Sequence, residues 1–524
     1  MNVPPCIFSI SGMIIEVLHY YSCKKKKFMK KYVLLFLSIG VLLTACKKSD
    51  DDLTPPDGID PDPIADVEVQ DFMWKAMNFW YFWQADVPNL ADDKFPNTDE
   101  GIAAYTEFLA SESEPGTFFD DQLLYSEDRF SFYSDDYTEL TQSFSGISKS
   151  NGLEFGLVKF SDSDDVFGYV WYIIPDSDAS TKDISRGELF TGVDGQTLNV
   201  DNYIELLFGD NDTYTLNMAD IANNQITPND KEVTLTKMEG LVENPVFLSK
   251  TFDIGGEKIG YLVYNGFTNE FDEDLNDAFG NLKAEGVTSM ILDLRYNPGG
   301  SVNSARLLSS MIYGTNTDEL FLRQRWNDKI QAQLSDSQLT DYFASETSDG
   351  SALNTLNLSK VYVIATYNSA SASELVINGL APYIDVVHIG ETTRGKNEFS
   401  ITMVDDFEGS YIYNSERESE INPNNQWAIQ PLVGRNENAD GFSDYTSGLT
   451  PDIELEEDLE NLGAWGDPNE PLLARAIQEI TGTTGKRSFE VSMPASVMTN
   501  SKMFSVLKDN MILDKTLNLE KSVQ

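Results

Sequence analysis

Two segments most constrain the fold. Ser289–Leu294 (SMILDL) and Val361–Tyr367 (VYVIATY) are short apolar runs, and each leads through small residues into a segment with helical spacing, from Val302 and from Ser373. Runs of this length and composition read as strands buried in a core rather than laid on its surface. Further strands at Ile259–Tyr264 and Val386–Ile389, with a helix at Glu273–Glu285, continue the alternation. Strands alternating with helices predict a mixed α/β, multidomain chain with a layered core. The polar stretch 315–358 reads as an insertion into that core.

Upstream the pattern changes. Asp66–Trp83 places Val69, Phe72, Ala76, Phe79, Trp80 and Trp83 on one helical side. An aromatic stripe at that spacing predicts a core-facing helix. With a second helix at Gly101–Ala110 it suggests a small helical domain over 66–140. From Gly146 to Glu239 short strands dominate. Tyr169–Pro175 (YVWYIIP) is one strand, Asn202–Phe208 reads as a helix and Glu232–Thr236 as a closing strand. Between them Ile184, Arg186-Gly187-Glu188, Leu189 and Val193-Asp194-Gly195 resemble the signature of PDZ domains, with Glu188 where Asp is usual.

The extreme N-terminus reads as an export signal. Taking Met29 as the natural start, Lys30 and Lys31 precede an apolar run, Val33–Leu43, that is too short to span a bilayer. The run ends in Leu43-Thr44-Ala45-Cys46, which resembles a bacterial lipobox and implies a lipid anchor to the membrane at Cys46. Residues 46–65, with Ser49-Asp50-Asp51-Asp52 and a Pro/Asp-rich stretch, read as a tether, and the acidic run resembles the surface-export signal of Bacteroidetes-type lipoproteins.

Composition narrows the chemistry. The net charge of −48 repels phosphate backbones, so nucleic acid is not an expected partner. The three cysteines, Cys6, Cys23 and Cys46, lie in the first 46 residues. A thiolate nucleophile or Cys-ligated zinc is therefore not expected beyond them, and no metal or cofactor is implied. The two histidines are His19, within the signal region, and His388, inside the short apolar strand VVHIG, where it reads as a packed core residue.

Three loops carry the candidate chemistry. Arg295-Tyr296-Asn297-Pro298-Gly299-Gly300 joins a strand to a helix, and glycines there free backbone N–H groups that can face a developing oxyanion. Ser369-Ala370-Ser371-Ala372-Ser373-Glu374 brings three serines to a helix N-terminus. Serine is a favoured N-cap, and Ser373 is the best cap candidate of the three. Gly390–Lys396 (GETTRGK) is a glycine-bounded loop after a strand. With His388 read as core, the base type left in this neighbourhood is lysine, as in Ser-Lys variants of the catalytic triad. An unperturbed lysine has a pKa of about 10.4, so about one molecule in 2,500 is neutral at pH 7. A base working there requires a shift of about three units, roughly 4 kcal/mol, which burial can supply.

Together, DLRYNPGG (293–300), SASASE (369–374) and GETTRGK (390–396) resemble, in this order, the C-terminal processing peptidases, or tail-specific proteases. The resemblance continues in GLTPD (448–452) and covers roughly 66–480. It implies a PDZ-like domain over 141–243, a crotonase-like spiral peptidase core over 244–482 and a C-terminal tail over 483–524. It implies Ser371 as nucleophile and Lys396, 25 residues later, as its base. It implies the N–H groups of Gly299 or Gly300 and of Ala372 as the oxyanion hole. The family's orienting glutamine, four residues after the lysine, is Ser400 here, which leaves that third role open. The implied substrate is unfolded protein or a C-terminal tail, held by strand addition to the PDZ-like domain. The rival readings are a catalytically silent peptide-binding lipoprotein, which the missing glutamine would allow, and a glycan-binding outer-membrane lipoprotein. The intact serine and lysine argue against the first, and the second would not need these three loops together.

Overall fold

In the computed structural model the central sheet has six strands in the order 246–254, 257–264, 289–293, 360–365, 385–390, 453–454. The first pair is antiparallel and the remaining pairs are parallel. Both faces are covered, which is why these strands lack a polar alternation. Leu262, Leu292 and Val363 face the helices Asp272–Ala284, Val302–Tyr313 and Ala372–Leu380 through Leu275, Leu308 and Leu375. Tyr261, Ile291, Ile364 and Ile389 face the helix Pro471–Thr481 through Leu472, Leu473 and Ala476. The structure describes residues 67–223, 225–482, 495–505, 510–515 and 517, all within one compact unit. The export signal, Cys46 and the tether lie outside the described residues.

A second six-stranded sheet runs in the order 300–301, 511–512, 398–400, 432–437, 320–326, 340–342. Two of its strands come from 315–358, so that stretch is not an insertion. Phe321, Leu322 and Trp326 are fully or nearly fully buried there. The polar composition that suggested an insertion belongs to turns and to the outward residues of Leu320–Trp326, such as Arg323 and Arg325. Upstream, Leu153–Phe160, Val166–Ile173, Leu189–Val193, Thr213–Ala222 and Gln225–Thr236 form a β-rich module over its own apolar cluster. Its edge strand 153–160 is extended antiparallel by Ala495–Asn500 from the far end of the chain.

The aromatic helix, Glu68–Trp80, packs as core. Its partners belong to the central unit: Phe72, Met77 and Trp80 join one apolar cluster with Leu292, Val363 and Phe399. The Trp80 indole N–H donates to the Ser410 carbonyl at 2.8 Å. The amide of Asn327 donates to the carbonyls of Phe79 and Tyr81 at 3.0 and 2.9 Å. Trp80→Ala therefore opens a cavity in the common core and should destabilise the whole unit by about 3–5 kcal/mol. Chemical denaturation followed by near-UV circular dichroism checks this. An unchanged midpoint would mean that 68–130 is an independent appendage.

Candidate active site

The strand 360–365 ends at Thr366, and the turn that follows delivers the three serines to the helix Ala372–Leu380. Ser371 occupies the N-cap with φ 65° and ψ −114°. A non-glycine residue in such a region costs about 1–3 kcal/mol and persists only where its surroundings impose it. They do so here. Its carbonyl accepts the Leu375 N–H at 2.8 Å, its own N–H donates to Glu374 Oε2 at 2.8 Å, and the preceding Ala370 N–H donates to the Asn297 carbonyl at 3.1 Å. The outer serines are tied to backbone. Ser369 Oγ donates to the Leu294 carbonyl at 2.8 Å, and Ser373 Oγ to the Asn297 carbonyl at 3.0 Å. Ser373 is thus not the helix cap, because its hydroxyl is spent on the neighbouring loop. Ser371 Oγ is buried and faces the Glu374 N–H in a capping box too loose to be a full hydrogen bond, and it has no other partner among the described residues.

The Gly-Gly loop closes on this hydroxyl. Gly299 and Gly300 have φ of 112° and 130°. A Cβ on Gly299 would lie 2.6 Å from Ser371 Cβ and 2.8 Å from its Oγ, and one on Gly300 would lie 2.2 Å from the Phe267 carbonyl oxygen. Only glycine permits this approach. The two N–H groups point differently. Gly299 N–H is turned into its own loop and donates to Asn297 Oδ1 at 2.9 Å. Gly300 N–H donates outward, to the carbonyl of Asn510, at 2.5 Å.

The lysine loop is joined to the serine turn through one carboxylate. Glu374, fully buried, accepts four hydrogen bonds. They come from Ser371 N–H (2.8 Å), Lys396 N–H (2.9 Å), Gly395 N–H (2.7 Å) and Thr393 Oγ1 (2.5 Å). Burial pushes its pKa up to about 7, against the pull of those donors. Lys396 is also fully buried. Its ammonium nitrogen donates to Asn510 Oδ1 at 3.3 Å and lies 5.1 Å from the centre of the Phe130 ring. The neighbouring Arg129 donates to the Gly395 carbonyl at 2.5 Å.

Ser400 lies in the strand 398–400 behind Lys396. Its Oγ donates to the Met511 carbonyl at 3.2 Å and accepts from the Gln430 amide at 3.0 Å, and neither bond reaches Lys396. His388 is buried in its strand with Nε2 3.2 Å from the Ala365 carbonyl, and burial lowers its pKa. Arg129, Phe130, Gln430 and Asn510 were not legible as site residues. Each is common, none sits in a motif, and the fold alone brings them in.

Glu374→Ala would leave the buried N–H groups of Ser371, Gly395 and Lys396 without an acceptor, at roughly 1–3 kcal/mol for each. The expected loss of stability by urea unfolding is at least about 3 kcal/mol. Unfolding within about 1 kcal/mol of the parent would show that the carboxylate does not hold the loops together.

Against this geometry the comparisons with known proteins are informative. Residues 258–455 match the model of Peptidase family S41, and residues 68–132 match that of the Peptidase S41 N-terminal domain. A CtpA-like serine protease of Staphylococcus aureus (strain N315) is 27% identical over 178 residues, 33% of this chain and 33% of that protein. The carboxy-terminal processing protease CtpB of Bacillus subtilis (strain 168) is 28% identical over 148 residues, 27% of this chain and 26% of that one. The matched region is thus about a third of these relatives' length or less. The crystal structure of an S41 protease from Bacteroides fragilis NCTC 9343 superposes with a TM-score of 0.60 at 26% identity, over 84% of this chain and 100% of that one. The chain belongs to peptidase family S41.

Proposed function

We propose that the chain is a serine endopeptidase in which Ser371 is the nucleophile and Lys396 its general base. The observation that carries this reading is the buried Ser371 hydroxyl on a strained turn whose backbone N–H shares the Glu374 carboxylate with the lysine loop. Neutral Lys396 takes the hydroxyl proton as Oγ attacks a peptide carbonyl. The oxyanion that develops is met by Gly300 N–H and by the N–H of Ala372 at the first turn of its helix. Gly299 serves by shape, since its own N–H is engaged within the loop. The ammonium then protonates the leaving amine, and water releases the acyl group. Ser400 supports the site from behind, through Gln430 and a neighbouring strand, in place of a residue that orients the lysine directly.

The substrate class is extended, unfolded polypeptide. The β-rich module reads as the PDZ-like domain of the chain, and its edge strand 153–160 already pairs with an added antiparallel strand, 495–500. A cleft of about 670 Å³ leads from that edge, past Phe155 and Phe208, to Pro298–Gly300. Two listeners to the same peptide, groove and site, suit the tail cleavage that the name of the Bacillus relative describes. Cys46 is the proposed lipid anchor and the bacterial outer membrane the proposed location. The silent, peptide-binding reading is weaker, because the serine, the lysine and the glycine loop are all present and the serine and lysine loops meet at Glu374.

Ser371→Ala and Lys396→Ala should each abolish cleavage of an unfolded protein followed by mass spectrometry, with the fold intact. Near-parental turnover in either variant rules out the pair. Acidity supplies a second test. Neutral Lys396 grows scarcer as the pH falls. Activity should therefore fall on acidification, and His388→Phe should leave the profile where it is. A folded, inactive His388→Phe protein would overturn the lysine mechanism. Incorporation of labelled fatty acid into the parent but not Cys46→Ala tests the anchor, and equal labelling refutes it.

A further inference from the structure

The site already holds a peptide, and it is the chain's own. Ala495–Asn500 pairs antiparallel with the module's edge strand, from Ala495 opposite Phe160 to Asn500 opposite Gly156. Just beyond, Ser501 Oγ accepts the Phe155 N–H at 3.0 Å and donates to Glu154 at 2.5 Å. The ring of Phe504 stacks on Phe208 at 3.9 Å. Further on, Met511-Ile512 runs parallel between Gly300-Ser301 and Ser400. Leu513 N–H donates to the Ser400 carbonyl at 3.1 Å, and Asp514 is hydrogen-bonded by Ser301 Oγ at the N-terminus of the helix 302–313. One segment thus lies along the strand-accepting edge and then across the candidate catalytic residues.

Its register at the site decides what it is. The Asn510 carbonyl is the group that receives Gly300 N–H, at 2.5 Å. That oxygen lies 2.4 Å, and Ser371 Oγ 2.8 Å, from the single point where a Gly299 Cβ would be, so carbonyl and hydroxyl flank the same spot. Lys396 reaches the side chain of the same residue. That bond is the ladder bond of the parallel pair Gly300 and Met511, and the same register sets the Asn510 carbonyl on the proposed oxyanion donor beside the Ser371 hydroxyl.

We infer that the Asn510–Met511 peptide bond is a self-cleavage site, so that the C-terminal tail is this peptidase's own first substrate. The inference rests on Ser371 acting as proposed above. Ser371 Oγ bonds to the Asn510 carbonyl carbon and gives its proton to Lys396, and Gly300 N–H holds the oxyanion. The carbon–nitrogen bond breaks, the lysine proton passes to the Met511 nitrogen, and residues 511–524 leave with a free amine. Water then hydrolyses the Ser371 ester, leaving Asn510 with a carboxylate. Until that step the Asn510 carbonyl takes the place at Gly300 N–H that another chain's carbonyl would need.

The full chain and its Ser371→Ala variant are purified in parallel, their intact masses measured, and each is incubated with an unfolded protein. The expected result is a parent lacking residues 511–524, a released peptide beginning at Met511, and a variant that keeps its tail. A parent that digests the unfolded protein yet keeps its tail, or releases a peptide with a different first residue, overturns the self-cleavage site and leaves the proposed function standing. Tail loss from both proteins overturns it as well, since another protease is then responsible. A parent that neither loses its tail nor digests the unfolded protein removes the nucleophile on which both readings rest.

Discussion

The Glu374 carboxylate is the constraint on which the rest of the site depends. Its four donors come from two loops that are 20 residues or more apart in sequence, and three of them are backbone groups whose direction fixes the path of the chain. A buried carboxylate with fewer donors would not be tolerated, and buried N–H groups without it would each be orphaned. The arrangement therefore specifies both loops at once. It also explains how Ser371 is kept at a positive φ, since relaxing that residue would withdraw its N–H from Glu374 and its carbonyl from the helix.

Topology makes the meeting possible. The strands 289–293, 360–365 and 385–390 are adjacent and parallel, with Asp293 beside Ile364 and Ile364 beside Ile389. Parallel neighbours end on the same edge, so the Gly-Gly, serine and lysine loops all leave the sheet at one place. The loops are also pinned from outside. Tyr296, next to Asn297, stacks on Trp171 of the β-rich module at 4.1 Å and receives a hydrogen bond from Arg186. Arg295 is held by Asp293, Glu457 and Glu470. Burial works against its charge, and the three carboxylates more than reverse the effect. Breaking such a cluster leaves buried charge unpaired, typically at 3–5 kcal/mol, so the module and the glycine loop are mechanically joined.

The parallel strands, their helices and the three loops were legible because each is local: an apolar run, a glycine pair, a serine at a helix start. What escaped was non-local. The stretch 315–358 read as an insertion because a strand with one polar face and many turns has the average composition of a loop. Ser373 read as the cap because capping preference is counted along the chain, whereas its hydroxyl is claimed by Asn297 across a loop boundary. Phe130 and Asn510 reach Lys396 from opposite ends of the sequence, and nothing in their neighbourhoods announces it.

The same non-locality gives the tail its hold on the cleft. The ladder at the site is short, since Met511 and Ile512 pair with Gly300 and Ser301 on one side and Ile512 with Ser400 on the other. A free peptide forming so few bonds would bind weakly once its ordering entropy is counted. The tail does not meet that cost in full. Its upstream part is anchored on the module edge by the strand 495–500 and by Phe504, so the downstream part binds as an intramolecular event at an effective concentration that can reach millimolar. A foreign chain has to exceed that concentration while the tail is intact. Severing the chain after Asn510 abolishes the tether, and the segment beginning at Met511 is then held by its own contacts alone, with no gain in effective concentration. One cleavage therefore opens the cleft at the glycine and serine loops, while residues 495–505 stay on the module edge.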